Sequence, residues 1–191
     1  GVTLRPWDGL RTLFLHLDTV LGFLGRRSVV TVPYVFEAKY AEGEPLKQLA
    51  ESFRRLPGGD TIDPRRAMRV LTDVGRVRRF LAGSGAPDPG VAGMKVVDYL
   101  RSLNYEPVFV GGTPPESVDR DHLRERVLPE FRNQAANIVA LGPGRVVAYQ
   151  GNEHTLRAVR GAGIDVATFP GSALAVCHGG PHCLTMPLER S

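Results

Sequence analysis

Near its end the sequence places a cysteine directly after a glycine-rich turn. The segment reads "GGPHCLTMPL" from Gly179, with Cys183 following His182. Gly179 and Gly180 permit unusual backbone angles and the close approach of a ligand, and Pro181 stiffens the loop. A free cysteine is commonly a small buried apolar residue, whereas its thiolate in an accessible loop is a nucleophile. Taken alone, these residues favour neither interpretation.

The same stretch also admits a metal site, which we rank below a nucleophile. Two cysteines and two histidines lie within seven residues: Cys177, His178, His182 and Cys183. Structural zinc sites usually take ligand pairs from two separate segments with a longer spacing, so we expect no metal. A Cys177–Cys183 disulfide would close a small loop, and we rank it lower still. His182 is a poor candidate for a base, because neighbouring side chains in an extended segment point apart.

A histidine and a carboxylate form a second constellation near the start of the chain. His16 and Asp18 lie within an apolar alternation, "LFLHLD", that is typical of a half-buried strand. Residues two apart on a strand point to the same side, so the two side chains are expected together. They would bind a cation, act as acid and base, or form a buried structural pair. Without further context the structural pair is favoured.

Composition limits the classes of function. Of 191 residues, 42% are hydrophobic and 23% charged, as in one soluble globular domain. Lys and Arg number 24 against 20 Asp and Glu, without a run of like charge, so nucleic-acid binding is not expected. We find neither a signal peptide nor a stretch approaching the roughly 18 to 20 apolar residues of a membrane span. Two cysteines suit a reducing compartment, so we predict a cytoplasmic protein without a membrane partner.

The hydrophobic pattern predicts a mixed α/β fold. In the last third it gives two strands, a helix capped by Asn152 and a further strand, which is a ββαβ unit. The first third begins with a similar hairpin, so two diverged copies of one unit are expected. The stretch "GSGAPDPG" is predicted to be a flexible linker. The predicted strands are 13–24, 28–32, 106–110, 137–141, 145–149 and 164–169, and the predicted helices 45–54, 64–81, 91–104, 119–131 and 152–160.

Several motifs in one order carry a resemblance to a known family. "LHLDTVLGFL", "NIVALGPGRVVAY", "LRAVRGAGIDV", "PGSAL" and "GGPHCLTMPLER" follow one another along the chain. This succession resembles the carboxy-terminal half of arginine deiminase, in the guanidino-group-modifying superfamily. The resemblance covers roughly residues 11–35 and 131–190. It implies one catalytic domain over 1–191, part of a pseudo-fivefold α/β propeller of ββαβ units, with a helical insertion at about 38–93.

The resemblance also implies roles for individual residues. Cys183 matches the nucleophile that forms a covalent thiouronium intermediate, and His16 matches the general acid and base. Asp18 matches a carboxylate that holds the guanidinium nitrogens, a role that suits a flat cation. Asn137 matches a recurring asparagine at a strand start, with a positioning role near the substrate. Gly179 and Gly180 are expected to line the substrate site, and no cofactor is implied.

Two departures from the family pattern qualify the expected activity. Further guanidinium-binding carboxylates and an arginine lie upstream in the family, and this chain, which starts at Gly1, does not contain that half. We therefore expect a processed or cleaved piece and a companion polypeptide that carries the amino-terminal half; a higher oligomer is left open. Where arginine deiminases commonly carry an arginine for the substrate carboxylate, this chain has His178. Histidine offers no bidentate fork, so a guanidino compound other than arginine becomes credible.

Three functions from different classes follow from these observations. The first is a hydrolase that converts arginine or an analogue, with water, to citrulline or its analogue and ammonia. The second is an amidinotransferase, which would share the cysteine and histidine but pass the amidino group to an amine. The third is a non-catalytic subunit that keeps the fold. The presence of His16, Asp18 and Cys183 together favours the first two.

Overall fold

The computed structural model describes residues 16–54, 64–175 and 179–186. These residues form a mixed α/β structure with two three-stranded sheets. None of the helices in this part of the chain is long and apolar enough to cross a membrane. The strands are β1 Leu21–Phe23, β2 Ser28–Thr31, β3 Glu106–Phe109, β4 Val139–Gly142, β5 Arg145–Tyr149 and β6 Asp165–Phe169. The α-helices are α1 Gly43–Arg54, α2 Pro64–Asp73, α3 Val96–Ser102, α4 Arg120–His122, α5 Leu128–Arg132, α6 Glu153–Gly161 and α7 Ser172–Ala175, with a π-helical turn, Leu123–Val127, joining α4 to α5.

The two sheets have the same connectivity. β1 pairs antiparallel with β2, which pairs parallel with β3; β4, β5 and β6 repeat this arrangement. Each hairpin is followed by a helical crossover, because parallel neighbours cannot be joined by a tight turn. The ββαβ order predicted for the last third is therefore observed, and the first sheet shares its strand order. The closure of such units into a propeller stays a prediction.

The central strand of the first sheet, β2, is almost entirely buried. Val29 and Val30 on β2 are both fully buried, as expected for a β-branched strand with neighbours on each side. A close approach between the sheets occurs at Gly22, where an added Cβ would lie 2.5 Å from the carbonyl oxygen of Ala136. β1 therefore lies against the segment that leads into β4. This contact brings the entrances of the two sheets together.

The segment before β1 differs from the predicted strand. Residues 13–15 lie outside the described part of the chain, and Leu17–Thr19 forms a 3-10 turn rather than extended backbone. The Thr19 amide and hydroxyl both donate to the carbonyl of His16, at 3.2 and 2.7 Å, which closes the turn. Local hydrogen bonding by threonine thus overrides the apolar alternation. Strand pairing begins only at Leu21.

The long helix predicted from Pro64 ends early. It stops at Asp73, and Gly75 follows with φ +73°, where an added Cβ would overlap the ring of Phe36. The buried ammonium of Lys95 donates to the Leu71 and Val74 carbonyls at the end of this helix. Since these contacts fix where the chain turns, the apolar stripe beyond residue 73 does not extend the helix.

The predicted flexible linker is held by specific contacts. The Arg79 guanidinium forms an ion pair with Asp88, and Phe80 forms an isolated antiparallel β-bridge with Pro87 across the loop. The Leu81 amide also donates to the Ala86 carbonyl at 2.9 Å. The helix predicted for 91–104 is shorter, covering Val96–Ser102, with a separate 3-10 turn at Pro89–Val91.

The amino terminus of α6 is capped by a carboxylate from another helix. Asn152 occupies the cap position, as predicted, but its side chain makes no capping bond and pairs with Asn133 instead. The buried carboxylate of Glu130 accepts the amides of His154 and Thr155, at 2.7 and 2.9 Å, and the Thr155 hydroxyl at 2.5 Å. A negative charge at a helix amino terminus is favourable, and these bonds satisfy amides that would otherwise lack partners.

We expect Glu130→Gln to destabilise the protein by about 2 kcal/mol, because it removes the charge from three hydrogen bonds at a buried helix end. Urea denaturation followed by circular dichroism measures the change. Glu153→Gln, at an exposed position in the first turn of the same helix, is the matched control and should cost less than about 1 kcal/mol. Equal effects from the two variants would contradict this capping role.

Candidate active site

The buried amide of Asn137 holds the cysteine loop. Its Oδ1 accepts the backbone amides of His182, at 2.8 Å, and Cys183, at 3.3 Å. Its Nδ2 donates to the Cys183 Sγ at 3.1 Å. Asn137 is fully buried and lies just ahead of β4, with its own amide bonded to the Gln134 carbonyl. One side chain therefore fixes both the backbone and the sulfur of Cys183.

Glycine is required beside Asn137. An added Cβ at Gly180 would lie 2.3 Å from the Cβ and Cγ of Asn137, closer than real atoms approach. The preceding residue, Gly179, accepts a hydrogen bond on its carbonyl from the Tyr149 hydroxyl at 3.1 Å. Burial raises the pKa of Tyr149, so its hydroxyl keeps its proton and donates. Gly180 therefore packs the loop against Asn137, just ahead of β4, and Gly179 bonds the loop to Tyr149 on β5.

Asp18 approaches the cysteine from the other sheet. Its Oδ2 lies 3.1 Å from Cys183 Sγ and 3.1 Å from His182 Nδ1. Asp18 belongs to the 3-10 turn ahead of β1, as Asn137 belongs to the segment ahead of β4. The segments that precede the first strand of each sheet therefore both contact the Cys183 sulfur. The Asp18 side chain is 27% exposed, so a ligand can reach it.

Asp18 is held in its ionised form. Burial opposes ionisation, but hydrogen bonds from Cys183, His182 and Asn137, together with the charge of His182, outweigh it and lower the pKa of Asp18. An ionised carboxylate only accepts hydrogen bonds, so the Cys183 thiol and the imidazole N–H both donate to it. The described geometry is that of a protonated, exposed thiol beside an anion. A cation bound there would stabilise the thiolate.

The structure brings together most of the residues predicted from the sequence. Cys183, Asp18, Asn137, Gly179 and Gly180 lie in one cluster. Two other predicted positions are not part of it. Among the described contacts, none joins the exposed imidazole of His16 to this cluster, and His178 lies outside the described residues, as does Cys177.

His182 is the site residue that sequence reasoning missed. The expectation that its side chain points away from Cys183 rested on extended backbone, and it is wrong. Residues 181–184 form a turn, in which the Leu184 amide lies 3.2 Å from the Gly180 carbonyl. In a turn, neighbouring side chains can reach the same group, and both His182 and Cys183 contact Asp18. The proline before them was the available signal for a turn.

The described part of the chain contains no group of three or more His, Cys, Asp or Glu side chains arranged to hold a metal ion. The polar groups around Cys183 are instead one carboxylate, one amide and one imidazole. Such a set can orient a thiol and bind a planar cation through charged hydrogen bonds.

Residues 127–190 match the arginine deiminase family. The resemblance predicted from the motifs is thus confirmed for the carboxy-terminal part of the chain. The matched segment contains Asn137 and Cys183 but not Asp18. The place of Asp18 in the site therefore rests on its contacts.

Individual arginine deiminases give the same result. The chain is 48% identical over 58 residues to that of Mycoplasma capricolum, covering 30% of this chain and 14% of the relative. It is 32% identical over 111 residues to that of Metamycoplasma hominis, covering 56% and 25%. For Mycobacterium marinum the identity is 46% over 90 residues, covering 47% and 21%. The matched segments thus span between about one seventh and one quarter of these relatives.

We expect Asn137→Asp to slow alkylation of Cys183 by iodoacetamide about tenfold at neutral pH. The variant keeps the side-chain shape and an acceptor for the loop amides, but replaces the donor to sulfur with a second carboxylate, whose charge opposes formation of the thiolate. Peptide mass spectrometry follows modification at this cysteine. Asn133→Asp, whose amide bonds Asn152 instead, is the control. An unchanged rate in Asn137→Asp would contradict a role in activating the thiol.

Proposed function

We propose that this chain carries the nucleophile and one substrate-binding carboxylate of a cysteine-dependent hydrolase acting on guanidino compounds. The observation that supports it best is the contact of 3.1 Å between Cys183 Sγ and Asp18 Oδ2 on an accessible surface. Asp18 offers the charge and planarity that a guanidinium group recognises. The match of the cysteine loop to arginine deiminase supports the same class of reaction.

In the proposed reaction the substrate cation first changes the ionisation of the thiol. A guanidinium bound to Asp18 offsets the negative charge beside the Cys183 sulfur, which favours the thiolate. The thiolate then attacks the guanidinium carbon, forming a C–S bond. The departing nitrogen takes up a proton as its C–N bond breaks, so it leaves as ammonia, and a covalent thiouronium remains on Cys183. Water adds to that carbon, the C–S bond breaks, and the products are a ureido compound and the free cysteine.

We assign proton transfer to His16, as its family resemblance implies. Its side chain is exposed, and it directly precedes the 3-10 turn that carries Asp18. In this role the imidazolium protonates the departing nitrogen, and the neutral imidazole later takes a proton from the attacking water. Asn137 serves by holding the nucleophile in place, through the amide contact to Sγ.

The remaining substrate contacts belong to the proposal too. A single carboxylate leaves part of a guanidinium without acceptors, and the relatives are several times longer than the matched segments. We propose that further acceptors come from outside these residues, on a companion polypeptide that completes an α/β propeller. Arginine is the first substrate to test, and other guanidino compounds follow because His178 replaces an arginine of the family pattern.

We expect Cys183→Ser to lose ammonia release from arginine and other guanidino compounds, since the alcohol is a far weaker nucleophile at neutral pH.

Asp18→Asn should reduce the rate of ammonia release by about 10²-fold or more, because it removes the charge that binds the cation. The assay uses the chain with whatever partner co-purifies with it. Asp165→Asn, on the exposed edge of β6, is the matched control and should be unaffected.

Product analysis separates the proposal from amidino transfer. Hydrolysis gives a ureido product and ammonia with or without an added amine, whereas transfer requires the amine and gives a new guanidino compound. Full activity in Cys183→Ser would contradict the mechanism. Gel filtration with intact mass measurement tests the companion polypeptide, and full activity of the 191-residue chain as a lone monomer would contradict it.

A further inference from the structure

We propose that His182 is a positioning residue that holds the Asp18 carboxylate in place while Cys183 becomes a thiolate. This inference rests on the proposed function, because it concerns the same carboxylate and the same nucleophile. It is carried by the contact of 3.1 Å between His182 Nδ1 and Asp18 Oδ2.

The backbone of His182 is fixed on both sides. Its amide donates to the buried Oδ1 of Asn137 at 2.8 Å. Its carbonyl accepts the Thr185 amide at 3.2 Å and the Thr185 hydroxyl at 3.0 Å. Only the imidazole extends outward, with 58% of the side chain exposed, and Asp18 is its partner among the described residues. A rigidly anchored residue whose ring contacts one carboxylate is suited to orienting it.

The need for a second donor follows from the charges. In the resting geometry the Cys183 thiol donates to Asp18 Oδ2. When the thiol loses its proton that hydrogen bond is lost, and two anions then face each other across about the same short distance, which is strongly repulsive. The imidazole N–H donates to the same oxygen, so it keeps the carboxylate in place at that moment. The other oxygen, Oδ1, is used by neither contact.

The ionisation of Asp18 agrees with this role. Burial acts against the charge, and the hydrogen bond from His182 ranks behind that of Cys183 among the interactions that lower the pKa of Asp18. The Cys183 contribution depends on the thiol proton, whereas the contribution of His182, and the smaller one of Asn137, do not. Loss of the His182 hydrogen bond would therefore weaken the hold on the Asp18 carboxylate most after the cation has bound and the thiol has ionised.

Alkylation by a cationic and a neutral reagent tests the inference without requiring turnover. Chloroacetamidine and chloroacetamide each form an Sγ–C bond and release chloride, but only the amidinium carries the planar charge that Asp18 would bind. The measured quantity is the ratio of their alkylation rates at Cys183. We expect His182→Leu to reduce this ratio about tenfold. His182→Asn should restore most of it, because the asparagine Nδ2 lies close to where the imidazole Nδ1 was.

The controls separate failure of this inference from failure of the proposed function. Asp18→Asn must abolish the amidinium preference, and His154→Leu, on α6, must leave it unchanged. A wild-type protein without any amidinium preference would overturn the proposed function and this inference with it. A preference that depends on Asp18 but survives His182→Leu would overturn this inference alone, as would equal loss in the leucine and asparagine variants. Thermal melting tests whether each variant is folded, and His182→Ala, which also lacks a donor, replaces the leucine variant if that one is not.

Discussion

The site depends on one buried amide. Asn137 accepts two loop amides on its oxygen, donates to the Cys183 sulfur from its nitrogen and also hydrogen-bonds Asp18, so one side chain joins the nucleophile to the carboxylate. A buried amide without partners is costly, and this requirement ties the end of the loop to the start of β4. Gly180 must lack a side chain because the loop backbone lies directly against this residue. The exposure of Cys183 is therefore compatible with a fixed position.

The second constraint is the approach of the two sheets. Gly22 on β1 allows that strand to lie against the carbonyl of Ala136, and this contact brings Asp18 to the cysteine. A carboxylate beside a thiol disfavours the thiolate until a cation arrives. In the reaction that we propose, the charge of the substrate would offset that of Asp18 beside the nucleophile. This coupling between binding and ionisation suits a reaction on a guanidinium cation, because a neutral substrate would not offset the charge of Asp18.

Sequence periodicity predicted the elements whose burial repeats regularly. The β-branched strand Ser28–Thr31 and the hairpin at Gly142–Gly144 were found near their predicted positions, because their patterns reflect packing on both sides. The features that depended on individual long-range contacts were missed. Lys95 ends α2 from a position far along the chain, and Glu130 caps α6 from another helix. His182 was misjudged because a turn, rather than an extended strand, sets its direction.

The most direct test of the central claim is to look for the covalent intermediate on Cys183. The chain in its native assembly is mixed with a guanidino substrate, quenched in acid and analysed by peptide mass spectrometry. We expect an adduct on Cys183 with the mass of the substrate less that of ammonia, and none in Asp18→Asn. Turnover without any adduct on this cysteine, or an adduct on Cys177 that persists in Cys183→Ser, would contradict it.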